Sequence, residues 1–193
     1  MRMVAALARV AVRLLVGLAL AMAVSIAPAA SDEYTDNARL DALFAELRAA
    51  TDPVLAHAID QQIWYVWMTP TDPVLAERMR RVLAARQMGD PVEAIALLDE
   101  LVRDYPAYAE GWNQRATMYY MLGNFEASIA DCEKVLELEP RHFGALSGRA
   151  LIYLQLGERA LALKDMRAAL AIHPFLAERQ LFPELEPDET THV

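Results

Sequence analysis

Apolar residues between residues 36 and 172 recur at the three- and four-residue spacing of amphipathic helices. No stretch alternates convincingly between apolar and polar residues over the length of a strand. Proline and glycine interrupt the helical pattern at regular intervals and divide it into segments. The pattern predicts helices near residues 36–49, 53–68, 73–87, 91–103, 107–121, 125–138, 142–155 and 158–172, with a short one near 175–181. The fold class is therefore predicted to be all-α.

The predicted starts of the helices carry capping residues. The dipeptide Asp-Pro begins three helices, at residues 52–53, 72–73 and 90–91, and Asn124 stands before a fourth. An Asp or Asn side chain at this position accepts hydrogen bonds from unpaired backbone N–H groups, and a following Pro lacks the N–H that would stay unpaired. These residues therefore support the helix starts that the apolar pattern indicates.

Several residue types recur with a period of 34 residues, which indicates an internal repeat. Glycine at the period suits the left-handed turn between two helices, and proline suits the end of the second helix. The four series are Gly89, Gly123 and Gly157; Pro106, Pro140 and Pro174; Arg81, Arg115 and Arg149; and the small residues Ala94, Ser128 and Ala162.

The repeated unit resembles the tetratricopeptide repeat (TPR), a helix–turn–helix motif of 34 residues. Unit 109–142 carries the resemblance best, with Trp112, Ala116, Tyr119, Gly123, Ser128 and Pro140. Unit 143–176 follows with Leu146, Ala150, Tyr153, Gly157, Ala162 and Pro174. Unit 75–108 is weaker, because Arg78 stands where the family usually has Trp or Leu. The resemblance implies an α-solenoid of stacked antiparallel helix hairpins.

The remaining segments flank these three units. Residues 31–74 are predicted to form an N-terminal helical hairpin, interpreted as a degenerate repeat of the same stack that lacks the glycine. Residues 75–182 hold the three units and a short C-terminal cap. Residues 183–193 are acidic and contain two prolines, so we expect a flexible tail.

The first thirty residues differ from the rest of the chain. They contain 24 apolar residues, and Arg2, Arg9 and Arg13 are their only charged side chains. A basic start, an apolar run over 14–24 and small residues at Ala27 and Ala29 are typical of a secretory signal peptide. Export to a bacterial periplasm is predicted. An uncleaved segment would anchor the protein to the membrane, facing the periplasm, and an organelle presequence is disfavoured by the continuous apolar run.

Charge and missing motifs exclude several function classes. The 15 basic and 27 acidic side chains after residue 31 give a net charge of −12, which argues against a nucleic-acid binder. No nucleotide-binding loop, nucleophile elbow or metal-ligand cluster is found, and His57 with Asp60 lacks a third ligand. The sequence predicts no enzyme activity, no cofactor and no metal. Cys132 is the only cysteine, and we expect it to be buried.

The resemblance also implies a binding surface on the inner face of the first helix of each repeat. By position it comprises Met79, Leu83, Arg86, Asn113, Thr117, Tyr120, Met121, Ser147, Leu151, Leu154 and Gln155. This strip lacks the Lys and Asn pattern that binds carboxylates of heat-shock chaperone tails in some relatives, so that partner is disfavoured. A groove for an extended or helical peptide is expected, with Tyr120 and Met121 as its main contacts. The alternative is that some of these residues pack against a neighbouring helix of the same chain.

Two further clusters have alternative interpretations. The arginines at positions 81, 115 and 149 have two interpretations: an anion-binding site, or ion pairs with acidic residues of neighbouring helices. We favour the ion pairs. In the run Trp64-Tyr65-Val66-Trp67, Trp67 shares a helix face with Ile59 and Ile63 and is predicted to be core. Trp64 or Tyr65 then points elsewhere and is a second contact candidate.

The sequence thus favours an exported, non-enzymatic TPR adaptor or scaffold that binds a peptide or protein partner in its groove. Assembly of envelope proteins is the concrete version that the family suggests. Two alternatives stay open: a structural oligomerisation module, in which a second copy covers a poorly capped last repeat, and an accessory subunit of an envelope enzyme complex. A membrane contact is expected only if the signal is uncleaved.

Overall fold

A computed structural model describes residues 33–185, which form eight α-helices and two short 3-10 helices. The described part contains no strand, so the predicted all-α class is confirmed. The α-helices are α1 (Asn37–Ala49), α2 (Pro53–Met68), α3 (Pro73–Gln87), α4 (Pro91–Asp104), α5 (Ala109–Met121), α6 (Phe125–Leu138), α7 (Phe143–Gln155) and α8 (Arg159–Ile172). The 3-10 helices are Ala177–Leu181 and Pro183–Leu185. The predicted signal peptide and residues 186–193 of the predicted tail lie outside the described residues. No described helix combines the length and apolarity that a membrane crossing needs.

The helices begin and end where the capping residues predict. The Asp52 carboxylate accepts hydrogen bonds from the backbone N–H groups of Val54 and Leu55, both at 3.0 Å. Gly89, Gly123 and Gly157 end the first helices of three hairpins with φ angles of 73°, 74° and 77°. A side chain is disfavoured in this left-handed conformation, which explains why glycine recurs there.

Helices α3 to α8 form three consecutive hairpins. Within each hairpin the two helices contact each other. Between consecutive hairpins, α4 contacts α5 and α6 contacts α7. Helices α5 and α7 also meet side by side, with α3 on the other side of α5; we call the surface of these three first helices the inner face. Small residues at the hairpin contacts allow the close approach, since Ala116 and Ala150 are buried and the Ser128 hydroxyl donates to the Ala116 carbonyl at 2.7 Å.

The α1–α2 hairpin lies across the N-terminal ends of α5 and α7. The Trp67 ring stacks on His142, just before α7, with 3.9 Å between ring centroids. The Trp67 carbonyl accepts a hydrogen bond of 2.6 Å from the Tyr108 hydroxyl, just before α5. Phe44 of α1 contacts Phe143, the first residue of α7. The apolar face of the hairpin packs against Phe143 at the start of α7 and against Ile172, Phe175 and Leu176 at and after the end of α8.

A buried polar network fixes the start of α7. Glu110 and His142 are both fully buried. His142 Nδ1 accepts the backbone N–H of Ala145 at 3.1 Å, so Nε2 carries the proton and donates to the Glu110 carboxylate at 3.1 Å. The side-chain amides of Asn113 and Gln114 donate to the same carboxylate. Both oxygens of the buried Glu110 carboxyl group are thus hydrogen-bonded, as burial of a polar group requires.

The C-terminal segment covers part of the last hairpin. Phe182 is fully buried and packs with Met166 and Ala169 of α8. The Arg159 guanidinium, which lies over the Phe182 ring, also pairs with Glu184. The last repeat therefore receives an intrachain cap from residues 177–185.

Candidate functional site

The inner face carries three neighbouring pockets. The α2–α7 pocket, between α2, α5, α7 and residues 173–178, has a volume of about 410 Å³. The α5–α7 pocket measures about 160 Å³ and the α3–α5 pocket about 310 Å³. Eight of the eleven predicted groove residues line them: Leu83, Arg86, Asn113, Thr117, Tyr120, Met121, Ser147 and Leu151.

The other three predicted groove residues lie elsewhere. Met79 is only 1% exposed and packs in the core between α3 and α4, so its assignment to the groove is wrong. Met79 shares a helix face with Leu83 and Arg86, but its position along α3 buries it in one cluster with Leu75, Leu98 and Met118. Leu154 is half-buried beside the α7–α8 core. Gln155 is exposed, and its side-chain amide donates to the Tyr120 hydroxyl.

Tyr120 and Met121 differ in how they are held. Tyr120 is half-buried, and its ring lies 5.9 Å from that of Phe125. With the Gln155 hydrogen bond, these contacts fix the ring between α5 and α7. Met121 is 63% exposed at the end of α5. The inner face thus presents one fixed aromatic side chain and one adaptable apolar side chain next to each other.

Two walls of the α2–α7 pocket were not recognised from the sequence as parts of one site. Helix α2 contributes His57, Asp60 and Trp64, and the C-terminal segment contributes Phe175 and Glu178. Their only local signals were that Trp64 does not fit the core face of α2 and that His57 and Asp60 lie three residues apart. The hairpin packing across α5 and α7 brings them to the inner face.

The polar side chains of this pocket include two carboxyls, Asp60 and Glu178. His57 Nδ1 lies 3.8 Å from Asp60 Oδ2. Burial raises the pKa of Asp60, Glu178 raises it further, and His57 and the Trp64 indole oppose the shift. Burial lowers the pKa of His173. No Lys or Arg is found among the described residues that line the pocket.

Two arginines of the periodic series pair within the chain. Arg115 makes two hydrogen bonds of 2.8 Å to Asp131, and Arg149 binds Asp165 at 2.6 and 3.0 Å. Each partner aspartate lies 16 residues after its arginine. The residue 16 positions after Arg81 is Leu97, so Arg81 has no equivalent aspartate. Intrachain pairing, the interpretation that we favoured, is confirmed for Arg115 and Arg149.

The aromatic run and Cys132 behave as predicted. Trp67 is buried with Ile59 and Ile63, whereas Tyr65 is 59% exposed beside Arg39 and Trp64 is half-buried in the α2–α7 pocket. Cys132 is buried, and burial raises the pKa of its thiol to about 12. No group of three His, Cys, Asp or Glu residues able to hold a metal ion occurs within residues 33–185.

Comparison with known proteins shows repeats of one type. Family models described as tetratricopeptide repeat match residues 109–142 and residues 78–108. A TPR repeat-containing protein of Rhizobium etli is 39% identical over 136 residues, which cover 70% of this chain and 67% of that protein. Sperm-associated antigen 1 of the rat is 31% identical over 109 residues, 52% of this chain but only 12% of that protein.

Solved structures show the same fold. The first TPR domain of Spaghetti, bound to an HSP90 peptide, is 24% identical with a TM-score of 0.52 and covers 56% of this chain and 83% of that domain. The second TPR domain of Spaghetti, bound to the same peptide, is 20% identical with a TM-score of 0.50 and covers 51% of this chain and 92% of that domain. From its repeats, its helix order and the Rhizobium relative, the chain belongs to the tetratricopeptide repeat proteins.

Proposed function

We propose that this protein is an exported, non-enzymatic adaptor that binds a peptide segment of a partner protein on its inner face. One observation carries the proposal: three pockets follow one another along α3, α5 and α7. A row of pockets on one face suits an extended segment whose successive side chains enter them. Helices whose positions are fixed by packing need little ordering on binding, which favours affinity.

The chemistry of the inner face bears on the type of peptide. The Spaghetti domains hold an HSP90 peptide, SRMEEVD, which is rich in carboxylates. The pockets described above contain one arginine, Arg86, and two carboxylates, Asp60 and Glu178. An acidic tail is therefore disfavoured as the ligand of this chain.

The proposed location depends on the sequence of residues 1–30. Their basic start, apolar run and small residues support export to a periplasm, with membrane anchorage if the segment is retained. In that compartment, holding a partner during the assembly of envelope proteins is the role that we favour. The alternative of an oligomerisation module predicts a different mass in solution. Light scattering of the full-length chain would then give a multiple of the monomer mass of 21.5 kDa.

The proposal is tested by selecting heptapeptides from a random display library on the full-length chain. Binding of the selected peptides is then compared between the wild type, Tyr120→Ala and Tyr65→Ala. Tyr120→Ala should raise the Kd about 10- to 30-fold, as expected for an aromatic contact worth about 1.5–2 kcal/mol. The melting temperature should change little, because Tyr120 is half-exposed.

Tyr65→Ala is the matched control, because Tyr65 is an exposed tyrosine that lines none of the three pockets. Its Kd should equal that of the wild type. A library that yields no binding peptide, or peptides that lose the same affinity with both variants, would overturn the proposed inner-face site.

A further inference from the structure

Two carboxyl groups, and neither Lys nor Arg, line the described part of the α2–α7 pocket. Asp60 on α2 and Glu178 in the first 3-10 helix line it, and its wall has no Lys or Arg among the described residues. The ionisable groups around Asp60 are Glu178, His57 and, further along the wall, His173. His57 is largely exposed and lies 3.8 Å from one Asp60 oxygen. The charged and ionisable groups of the pocket are thus two carboxyls and two imidazoles.

One oxygen of the Asp60 carboxyl group lacks a hydrogen-bond donor. Asp60 Oδ1 is buried and has no hydrogen-bond partner among the described residues. A buried acceptor without a donor costs about 1–3 kcal/mol, and more when it is charged. A ligand that brings N–H donors to this oxygen would remove that cost. The carboxylate therefore favours a ligand rich in donors.

The neutral polar side chains of α5 and α7 also present acceptors. The Thr117 hydroxyl donates to the Asn113 carbonyl at 3.0 Å, and the Ser147 hydroxyl donates to the Gly144 carbonyl at 3.3 Å. The Asn113 amide nitrogen donates to buried Glu110, which leaves its side-chain oxygen as an acceptor. With their hydrogens engaged, these three side chains offer lone pairs to a ligand.

An aromatic side chain completes the pocket. Trp64 contacts Trp67 and Phe143 at centroid distances of 5.2 and 5.8 Å, so its ring is held in place. Gly144 makes room for it, since a Cβ at that position would lie 2.6 Å from Trp64 Cη2. Indole rings attract Lys and Arg head groups more strongly than other aromatic rings do.

We propose that the α2–α7 pocket binds the cationic head group of a Lys or Arg side chain of the partner peptide, with Asp60 as its main counter-charge. This inference rests on the proposed peptide-binding function and specifies its ligand. The ammonium or guanidinium group supplies donors to Asp60 and to the α5 and α7 acceptors, and Trp64 contacts its charged end. A volume of about 410 Å³ is within the range of pockets for small ligands.

The test uses heptapeptides selected on the full-length chain, as above. Lys or Arg should be enriched at one peptide position, and replacing that residue by Gln should raise the Kd about 10- to 100-fold, as for one charge-assisted contact. Asp60→Asn should cause a similar loss with the basic peptide and none with its Gln version. Glu126→Gln, an exposed carboxylate of α6, is the matched control and should leave both affinities unchanged.

A second variant blocks the pocket without changing charge. A Cβ at Gly148 meets no atom within 4 Å, so Gly148→Leu should fold and project into the α2–α7 pocket. It should reduce binding of the basic peptide at least 10-fold with an unchanged or higher melting temperature.

The outcomes separate the two proposals. Peptides that bind in a Tyr120-dependent manner, but ignore both Asp60→Asn and loss of their basic residue, would overturn the cation site and leave the adaptor function standing. Absence of any selected peptide would overturn both. Putrescine is the probe for a free cation: binding of putrescine as tightly as the basic peptide would overturn the peptide as the source of the cation.

Discussion

Gly123 and Gly148 illustrate two different uses of the same residue. Gly123 has a φ of 74° after α5, where any side chain would be strained. Gly148 lies inside α7, where a Cβ meets open space. The 34-residue spacing revealed the first kind, because a required backbone conformation leaves a periodic signal. It did not reveal the second, because an open helical position imposes no such requirement.

These two glycines give a matched pair of substitutions. Gly123→Ala should lower the free energy of unfolding by about 1–2 kcal/mol, the cost of a side chain in the left-handed conformation. Gly148→Ala should raise it by about 0.5–1 kcal/mol, because alanine favours the helix. Urea unfolding followed by circular dichroism measures both. Equal changes of the same sign would show that the conformation at residue 123 is not the one described.

At the level of elements, the sequence predicted the helices. It predicted only some of the side-chain pairs that connect one helix to another. Helix ends follow from local capping residues such as Asp52 and Asn124, which act within three residues of their own position. Each arginine pair connects the two helices of its own hairpin: Arg115–Asp131 joins α5 to α6, and Arg149–Asp165 joins α7 to α8. A spacing of 16 residues repeated at a period of 34 made them recognisable in principle.

The arginine pairs lead to a prediction with a control in the same chain. Arg149→Leu leaves the Asp165 carboxylate, which is 6% exposed, without its partner. We expect a loss of about 1–3 kcal/mol in the free energy of unfolding, the usual cost of such an unpaired group. Arg81→Leu should stay within about 0.5 kcal/mol, since Arg81 is exposed and Leu97 replaces the aspartate. Equal losses in the two variants, measured by urea unfolding, would contradict a structural role for the pair.

At the scale of the whole molecule, the sequence did not predict where the α1–α2 hairpin packs. The contacts that fix it join distant residues, as Arg141 and Asp41 show, because 100 positions separate them. Such contacts follow no period and leave no local pattern. The α2–α7 pocket depends on the same packing. Its lining residues Asn113, Thr117, Ser147 and Leu151 were predicted as part of a surface, whereas its α2 wall was not.

If this packing is integral to the fold, the hairpin and the repeats should unfold together. Phe143, 2% exposed, joins them through ring contacts with Phe44, Trp64 and Trp67. Two of the three tryptophans lie in α2, so tryptophan fluorescence reports mainly on the hairpin while circular dichroism reports on all helices. The two signals should give the same urea midpoint in the full-length wild type.

Phe143→Ala should separate the two transitions. It removes the ring that joins hairpin and stack, at a cost of about 3–5 kcal/mol. The fluorescence midpoint should then fall below that of circular dichroism, because the hairpin detaches while the stacked repeats keep their own contacts. Leu161→Ala, an exposed position on α8, should leave both midpoints unchanged. A wild type in which fluorescence already changes first would show that the hairpin is a loosely held element. The α2 wall of the pocket would then form only part of the time, and binding would have to supply the free energy that closes it.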